Sequence, residues 1–416
     1  MRLMVYSHDT FGLGNIRRML VICEHLLKEI PGLSILLLSG SPMLQGFRLP
    51  KGIDYIKLPC LNRGETGEVT AKYLGINIED TIRLRSHIIL SAAIHFQPDL
   101  FLVDKKAYGI KNELVRTVRY LHKNLPKTKL VLLFRDILDT PEKTIHEWKK
   151  NSYYEALEKY YHLILVVGTP DIFDFSQEYQ LPQKITDKVR FCGYLRRPSG
   201  QKNKRIIRQE LQIELDEKLI LVTPGGGEDG YQLINNYLQG LKILPKSEKI
   251  KSVIICGPEM PIADKQALEQ AAKSNYQVQM GEFTDDLMSY IEAADAVVSM
   301  GGYNTICEIL SAGKPAVIVP RFQPSQEQLI RSLRMQQKTS FQTIHPHNLT
   351  PKNLISQLTY ILAKPHTTHN IDLDGLSRIT RQIRNLLADI VMSNKSQLLY
   401  YQSNNCCSLK TVLTPE

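Results

Sequence analysis

The sequence lacks the features that mark several common classes of protein. No apolar run approaches the roughly 20 residues that a membrane-spanning helix needs. The first apolar run, residues 3–6, is short and is followed by polar residues, so it predicts a strand and not a signal peptide. The sequence therefore favours a protein that is not integral to a membrane.

Cysteine spacing and missing motifs exclude further classes. The seven cysteines are scattered and odd in number, without zinc spacing or a disulfide framework, so we expect a cytoplasmic protein. Arginine-rich blocks, zinc fingers and RNP-like motifs are missing, so nucleic acid is not the expected partner of this chain of net charge +10. Its basic surface suits phosphorylated ligands. Basic helices such as 82–85 also suit peripheral contact with the inner face of a membrane. The alternative for such a helix is that its basic side chains are only solvated.

Length and pattern together predict two domains. A chain of 416 residues suits two domains of roughly 150–200 residues. Short apolar runs alternate with amphipathic runs, which is typical of parallel sheets flanked by helices. The predicted strands are 3–6, 33–39, 55–58, 100–103, 130–134 and 163–167, then 219–223, 252–256, 277–281, 296–299 and 316–320.

A basic segment with proline and glycine separates the two sets of strands. We interpret residues 196–208 as a linker. The predicted units are a first domain at 1–194, a second domain at 209–365, a C-terminal helix at 372–392 and a disordered tail at 393–416.

The loop after the first strand carries glycines and an imidazole. Gly12 and Gly14 match the start of a dinucleotide fingerprint, but Arg17 occupies the third glycine position, which argues against a nicotinamide cofactor. His8 lies at the carboxyl end of the strand, where open α/β sheets bind ligands. It is predicted either as a general base or as a residue that only bonds within the loop.

Glycine loops in the second half predict a site for a diphosphate. Gly225, Gly226 and Gly227 precede a predicted helix, and because glycine has no side chain their backbone N–H groups are accessible to an anion. The alternative for this loop is a flexible turn. A second glycine pair, Gly301 and Gly302, opens the helix that contains Glu308, whose carboxylate suits the two hydroxyls of a ribose. The alternative there is a capping box from Thr305 to Glu308.

Polar residues after other strands extend this prediction. Gln326, Glu327 and Gln328 suit sugar hydroxyls, although a capping box from Ser325 also explains them. Thr284 is predicted to cap the helix that follows it.

In the first domain, Asp104, Arg135 and Asp136 follow strands, so they either line the cleft or form salt bridges at a buried edge. We interpret Asp372 and Asp374 as a helix cap and expect neither a metal site nor a cofactor.

These motifs together resemble those of a known family. Residues 7–14, 134–139 and 301–308, with 313–321 and 326–328, are similar to the GT-B glycosyltransferases. The resemblance is to the family 28 C-terminal domain and a bacterial group of predicted glycosyltransferases, related to the transferase that builds the peptidoglycan lipid intermediate. It covers most of residues 1–380 and implies two Rossmann-like domains facing a cleft, with a C-terminal helix that crosses back to the first domain.

The resemblance also implies roles for individual residues. It places the diphosphate of the donor at the glycines of 225–227 and 301–302, with Asn304 and Thr305. Phe283 and Thr284 lie where the nucleobase binds, and Glu308 resembles the carboxylate that holds the ribose. Residues 326–328 resemble those that touch the donor sugar, and Gly12, Gly14, Asp104, Arg135 and Asp136 lie on the acceptor side.

One position departs from the family pattern. Relatives commonly have a histidine, the proposed general base, where this chain has Asn15, and an amide does not take a proton at neutral pH. The base is then His8 or Asp9, or the loop only orients the acceptor, or activity is lost.

The sequence therefore predicts a glycosyltransferase that moves a hexosyl group from a nucleotide-sugar, expected to be a UDP-sugar, to a sugar, glycan or lipid-linked acceptor. Two alternatives stay open. The first is a nucleotide-sugar 2-epimerase of the same fold, and the second is a non-catalytic nucleotide-sugar-binding protein.

Overall fold

The computed structural model describes residues 1–8, 14–63, 68–245, 248–273, 275, 277–364 and 370–388. Asp9 and Gly12, and the predicted tail at 393–416, lie outside these residues. Among the described residues, no helix is both long enough and apolar enough to cross a membrane.

The first domain is built on a parallel sheet. Its strands and a small hairpin are β1 (Arg2–Ser7), β2 (Ser34–Ser39), β3 (Ile53–Lys57), β4 (Leu61–Arg63), β5 (Val69–Ala71), β6 (Leu100–Asp104), β7 (Lys129–Arg135), β8 (Leu163–Val167) and β9 (Val189–Phe191). Seven of them pair in the order β3-β2-β1-β6-β7-β8-β9, while β4 and β5 form the hairpin. The central strands β6 and β8 are buried along their whole length because helices cover both faces of the sheet.

Helices cover both faces of this first sheet. They are α1 (Gly14–Glu29), α2 (Ile78–Phe96), α3 (Val115–Asn124), α4 (Pro141–Lys150), α5 (Tyr153–Tyr160), α6 (Phe175–Glu178) and α7 (Gln183–Thr186). Short 3-10 turns occur at Leu44–Gly46 and Ile110–Asn112.

The second domain repeats the same plan. Its parallel strands are β10 (Lys218–Thr223), β11 (Ile250–Ile255), β12 (Val278–Gly281), β13 (Ala296–Ser299), β14 (Ala316–Ile318) and β15 (Phe341–Thr343), in the order β12-β11-β10-β13-β14-β15. Its helices are α9 (Tyr231–Leu241), α10 (Ile262–Ala272), α11 (Leu287–Ala293), α12 (Tyr303–Ser311), α13 (Glu327–Gln336) and α14 (Pro351–Ala363), with a 3-10 turn at Pro346–Asn348. In both sheets the strand order reverses beside the first strand, and ligands bind at such a switch point.

The structure confirms every strand that the sequence predicts, with small shifts at the ends. It adds β4, β5, β9 and β15, each of only three residues, which are too short to show a pattern.

The predicted linker is more ordered than its composition indicates. Residues Lys204–Glu210 form helix α8, capped by Asn203. Buried Ile207 and the ion pair of Arg208 with Asp295, at 2.9 Å, fix this helix to the second domain. The predicted linker thus contains a short helix that packs on the second domain through one buried apolar side chain and one ion pair.

The predicted C-terminal helix returns to the first domain. Helix α15 occupies residues 375–388 within the described part of the chain. Its Arg384 donates a 2.6 Å hydrogen bond to the carbonyl oxygen of Glu29 at the end of α1. Asp372 accepts from the backbone N–H of Asp374 and pairs with Arg378, so these carboxylates organise the start of the helix.

A fully buried ion pair joins the two domains. Arg331 of α13 donates two hydrogen bonds of 2.7 Å to the carboxylate of Asp136, which follows β7. The two side chains are 0% and 1% exposed. Arg331 also donates to the carbonyl oxygen of Gly301 at 3.0 Å, and Tyr194 donates to Asp136 at 2.9 Å.

Tyr303, the first residue of α12, lies in the middle of this interface. Its ring centroid is 5.9 Å from the guanidinium carbon of Arg18 and 5.5 Å from that of Arg331. Its hydroxyl donates to the carbonyl oxygen of Val167 in the first domain at 2.9 Å. The start of α12 is therefore fixed to both domains.

We expect Arg331→Met to lower the free energy of unfolding by about 3–5 kcal/mol, because it leaves the Asp136 carboxylate buried without its cation. Urea unfolding followed by circular dichroism measures the change. The matched control is Lys338→Met, which removes an ion pair with Asp171 across the same interface, where the side chains are 45% and 52% exposed. That control should cost less than about 1 kcal/mol, and equal losses in both variants would contradict the prediction.

Candidate functional site

The glycine loop after β10 is shaped by backbone contacts. Gly225 and Gly227 have positive φ angles of 86° and 100°. A Cβ atom on Gly227 would lie 2.3 Å from the carbonyl oxygen of Cys256. The loop thus packs backbone to backbone against Cys256 and Gly257 after β11, which no larger residue allows.

This loop faces the start of α12. A Cβ atom on Gly225 would lie 3.6 Å from Oγ1 of Thr305, in the first turn of that helix. Gly302 is the N-cap residue and makes no side-chain cap, so the capping box from Thr305 to Glu308 is not formed. Backbone N–H groups of the loop and the positive end of α12 therefore lie side by side, an arrangement that suits an anion.

The carboxylate of Glu308 points away from the helix and toward the first domain. Its Oε1 accepts from Nη2 of Arg17 at 2.8 Å. The side chain of Glu308 is 2% exposed, and among the described residues its Oε2 has no hydrogen-bond partner. Glu308 thus has one oxygen available for a further donor.

A second arginine lies along the same helix. Arg197, in the segment between the domains, donates to Oδ1 of Asn304 at 2.7 Å, and its backbone N–H donates to Ser311 at 2.9 Å. The residue is 7% exposed, and its Nε has no partner within the described residues. A buried guanidinium beside the positive end of a helix favours a bound anion there.

Across the cleft, His8 follows β1. The residue is 5% exposed, its backbone N–H donates to Asp104 at 3.3 Å, and its Nδ1 has no partner among the described residues. Burial lowers the pKa of His8 well below its usual value, and the positive charges of Lys105, Lys106 and Arg135 lower it further. The imidazole is therefore neutral at pH 7.

Asn15 lies directly beside this histidine. Its Nδ2 donates to the carbonyl oxygen of His8 at 2.5 Å, and its Oδ1 accepts from Arg18 at 3.3 Å. Arg18 in turn pairs with Asp104 at 2.7 Å, and both side chains are buried. Asn15 therefore fixes the backbone of His8.

A cavity of about 770 Å³ lies between the domains. The lining from the first domain includes His8 and Arg135, and that from the second includes Glu228, Asp229, Arg321 and Gln328. His8, the predicted base, and two of the three predicted sugar-binding residues, Glu327 and Gln328, thus share one space, while Gln326 does not line it.

Opposite charges are matched across this cavity. Arg135 pairs with Glu327 at 2.7 Å, and both side chains are about one-eighth exposed, at 12% and 13%. Gln328 accepts from the backbone N–H of Arg321 at 3.1 Å. Gln326 is the N-cap residue of α13 without a side-chain cap, so the capping box from Ser325 is not formed either.

Some predicted residues lie apart from the cavity. Phe283 is 60% exposed. It lies beside Gly257, because the backbone N–H of Gly257 donates to the carbonyl oxygen of Glu282, the residue before Phe283, at 2.8 Å. Thr284 is not the helix cap, because Asp286 caps α11 instead. Gly14 is exposed at the start of α1 and accepts from Asn304 at 2.8 Å. Asp104 and Asp136 are held in buried ion pairs, the alternative that the sequence left open.

The sequence did not single out four residues that shape the site: Gly257, Arg197, Arg321 and Arg331. For Gly257 the sequence does contain a usable signal, because the dipeptide Gly257-Pro258 directly follows a predicted strand and such dipeptides mark turns. For the three arginines there is no comparable signal, because their partners come from distant segments of the chain.

Comparison with known proteins bears on the fold and on the second domain. Residues 219–374 match the model of the glycosyltransferase family 28 C-terminal domain. An uncharacterized glycosyltransferase of Methanopyrus kandleri is 28% identical over 48% of this chain and 53% of its own length. The UDP-N-acetylglucosamine–N-acetylmuramyl-(pentapeptide) pyrophosphoryl-undecaprenol N-acetylglucosamine transferase of Glaesserella parasuis is 25% identical over 41% of this chain and 47% of its own. The chain thus spans about half the length of these relatives.

Solved glycosyltransferases and nucleotide-sugar epimerases share the fold over nearly the whole chain. The UDP-GlcNAc 2-epimerase from Methanocaldococcus jannaschii, for example, aligns with 92% of this chain and 100% of its own, with a TM-score of 0.61 and 13% identity. The fold is therefore GT-B. Within it, the second domain is the part of the chain that matches the glycosyltransferase family 28 C-terminal domain.

We expect Gly227→Ala to destabilise the second domain. The added methyl group meets the Cys256 carbonyl oxygen, and the positive φ alone costs about 1–2 kcal/mol. Thermal unfolding measures the effect. Gly302→Ala is the control, since a Cβ there meets no atom within 4 Å and φ is −62°; a loss as large in this control would contradict the explanation.

Proposed function

We propose that this chain is a hexosyltransferase that takes a sugar from a UDP-sugar and passes it to an acceptor held by the first domain. The observation that carries the proposal is the arrangement around α12. A glycine loop, a helix N-terminus and a buried carboxylate lie next to one another, and they suit a diphosphate and a ribose. One oxygen of that carboxylate has no hydrogen-bond partner within the described part of the chain.

In this proposal the second domain holds the donor. Backbone N–H groups of Gly225, Gly226 and Gly227, with the start of α12, bind the diphosphate, and Glu308 accepts from the ribose hydroxyls. Arg197 adds a positive charge beside Asn304. Phe283 and the backbone at Thr284 contact the nucleobase, and Gln326, Glu327 and Gln328 contact the sugar.

The same groups stabilise the leaving UDP. Charge develops on the diphosphate as the bond to the sugar breaks, and preformed N–H donors stabilise that charge without reorganisation. No group of three or more His, Cys, Asp or Glu side chains among the described residues could hold a metal ion.

His8 is the proposed general base. Its neutral imidazole lines the cavity between the domains, so it can take the proton of an acceptor hydroxyl that attacks the sugar carbon opposite the departing UDP. This direct displacement inverts the configuration at that carbon. Asn15 has an orienting role through its bond to the backbone of His8.

A lipid-linked acceptor fits an apolar patch on the first domain. Tyr73, Leu74, Ile76 and Leu84, near the start of α2, are 42–67% exposed, and Lys72 and Arg83 lie among them in sequence. Apolar side chains with basic neighbours suit the surface of an anionic membrane. By contrast, Arg85 is fully buried against Glu113 and does not belong to this patch. We propose that the protein acts in the cytoplasm, with peripheral contact at the inner face of the membrane.

The epimerase alternative is favoured by one observation, which is the fold likeness to UDP-GlcNAc 2-epimerase structures. Such likeness at low identity concerns the fold alone. The family 28 match and the buried state of Asp104 favour transfer instead.

We expect Glu308→Gln to weaken UDP binding about tenfold to a hundredfold, because hydrogen bonds to a charged group contribute about 1.5–3 kcal/mol. Isothermal titration calorimetry measures the dissociation constant. Glu269→Gln, an exposed change on α10, is the control and should bind UDP normally. Equal affinity of the natural chain and Glu308→Gln would remove Glu308 from the proposed site.

We expect His8→Ala to lower kcat about 10²–10⁴-fold with little change in the KM for the donor. Because the pKa of His8 lies well below 6.5, the base form persists as the pH falls, and the acidic limb of the kcat/KM profile should lie below pH 6.5. Rates of UDP release with a panel of acceptors over pH 4–9 test this. UDP binding without turnover, in both the natural chain and Asn15→His, would instead support the non-catalytic alternative.

A further inference from the structure

Arg17 reaches from the first domain into the proposed donor site. Its Nη2 lies 2.8 Å from Oε1 of Glu308, and its side chain is 40% exposed. Three residues earlier, the carbonyl oxygen of Gly14 accepts from Nδ2 of Asn304 at 2.8 Å. The first turn of α1 therefore lies across the first two turns of α12.

This contact conflicts with a bound ribose. Glu308 is 2% exposed, and Arg17 already occupies one of its two oxygens. Two ribose hydroxyls that bind both oxygens compete with Arg17 for Oε1 of Glu308, so a bound nucleoside weakens this ion pair. A guanidinium never loses its charge in a protein, so the released Arg17 is attracted to any anion within its reach.

We propose that Arg17 moves from Glu308 to the diphosphate of the bound nucleotide, and that it is a phosphate ligand supplied by the first domain. This inference rests on the proposed function, because it takes the diphosphate to lie at the start of α12.

The distances allow this exchange. Glu308 lies four residues beyond Asn304, which is about 6 Å along a helix at 1.5 Å per residue. An arginine side chain spans a similar distance, so rotation about its own bonds carries the guanidinium from the second turn of α12 to the first. The exposure of Arg17 leaves room for that rotation, whereas its neighbour Arg18 is 1% exposed and fixed to Asp104.

The charges favour the exchange as well. A planar guanidinium binds two phosphate oxygens at once, which is stronger than its single contact with Glu308. Placed there, Arg17 also separates the Glu308 carboxylate from the phosphates, which would otherwise repel it. Because Arg17 belongs to the first domain, the diphosphate then connects the two domains.

Titration with UDP and with uridine separates the phosphate contact from the rest of the site. Calorimetry is run on the full chain and on Arg17→Ala, Arg17→Lys and Lys28→Ala. Lys28 is an exposed cation in the last turn of α1, far from α12, and serves as the matched control.

We expect Arg17→Ala to weaken UDP binding about tenfold to a hundredfold. Uridine binding should stay the same or become tighter, because Glu308 is released. Arg17→Lys should recover part of the UDP affinity, since it keeps the charge but not the paired geometry, and Lys28→Ala should match the natural chain.

Three outcomes would overturn the inference. If Arg17→Ala binds UDP and uridine more tightly by the same factor, Arg17 only blocks Glu308. If neither affinity changes, or if both fall equally, Arg17 makes no phosphate contact. If the natural chain binds neither UDP nor uridine, the proposed function itself fails, and this inference fails with it.

Discussion

The buried ion pair between Arg331 and Asp136 is the constraint on which the rest of this structure depends. Desolvating two charges costs several kcal/mol per ion, and only close, well-oriented contact offsets that cost. The two side chains therefore have essentially one arrangement that keeps both charges satisfied. Since one belongs to each domain, that arrangement fixes how the domains meet, and Gly301 is fixed with them because its carbonyl oxygen is the third acceptor of Arg331.

Contacts farther from this pair are of a different kind. Arg17 with Glu308, and Lys338 with Asp171, each include at least one side chain that is more than one-third exposed. Solvated ion pairs contribute about 1 kcal/mol or less, so a ligand of matching charge can replace one partner. The interface thus has a buried centre at Tyr303 and more exposed contacts around it. Under the proposed function, a ligand can therefore enter the cleft without separating the domains.

The sequence was sufficient to predict the fold, but only part of the interface. Apolar runs and glycines after strands are local signals, so the amino-acid sequence alone is enough to locate β10, β13 and the loops at 225–227 and 301–302. Arg331 lies in an amphipathic helix in which an arginine indicates nothing about its partner. Its carboxylate, Asp136, is 195 residues away in the chain. Asp104 and Asp136 illustrate the same limit, because sequence alone left the cleft lining and the buried salt bridge as equal alternatives.

Asn15 occupies the position at which relatives have the histidine proposed as general base, but its hydrogen bonds indicate a structural role instead. Judged by family pattern alone, an amide in place of a histidine removes the base. In the structure the amide donates to the His8 carbonyl oxygen and accepts from Arg18, and these two bonds need one donor and one acceptor on a single short side chain. A histidine could make both only as one tautomer, with its ring then turned into the interface and unable to act on a substrate. The imidazole that does line the cavity belongs to His8. Under the proposed function, the donor site of the second domain is therefore retained while the group that accepts the proton lies at a different position of the first.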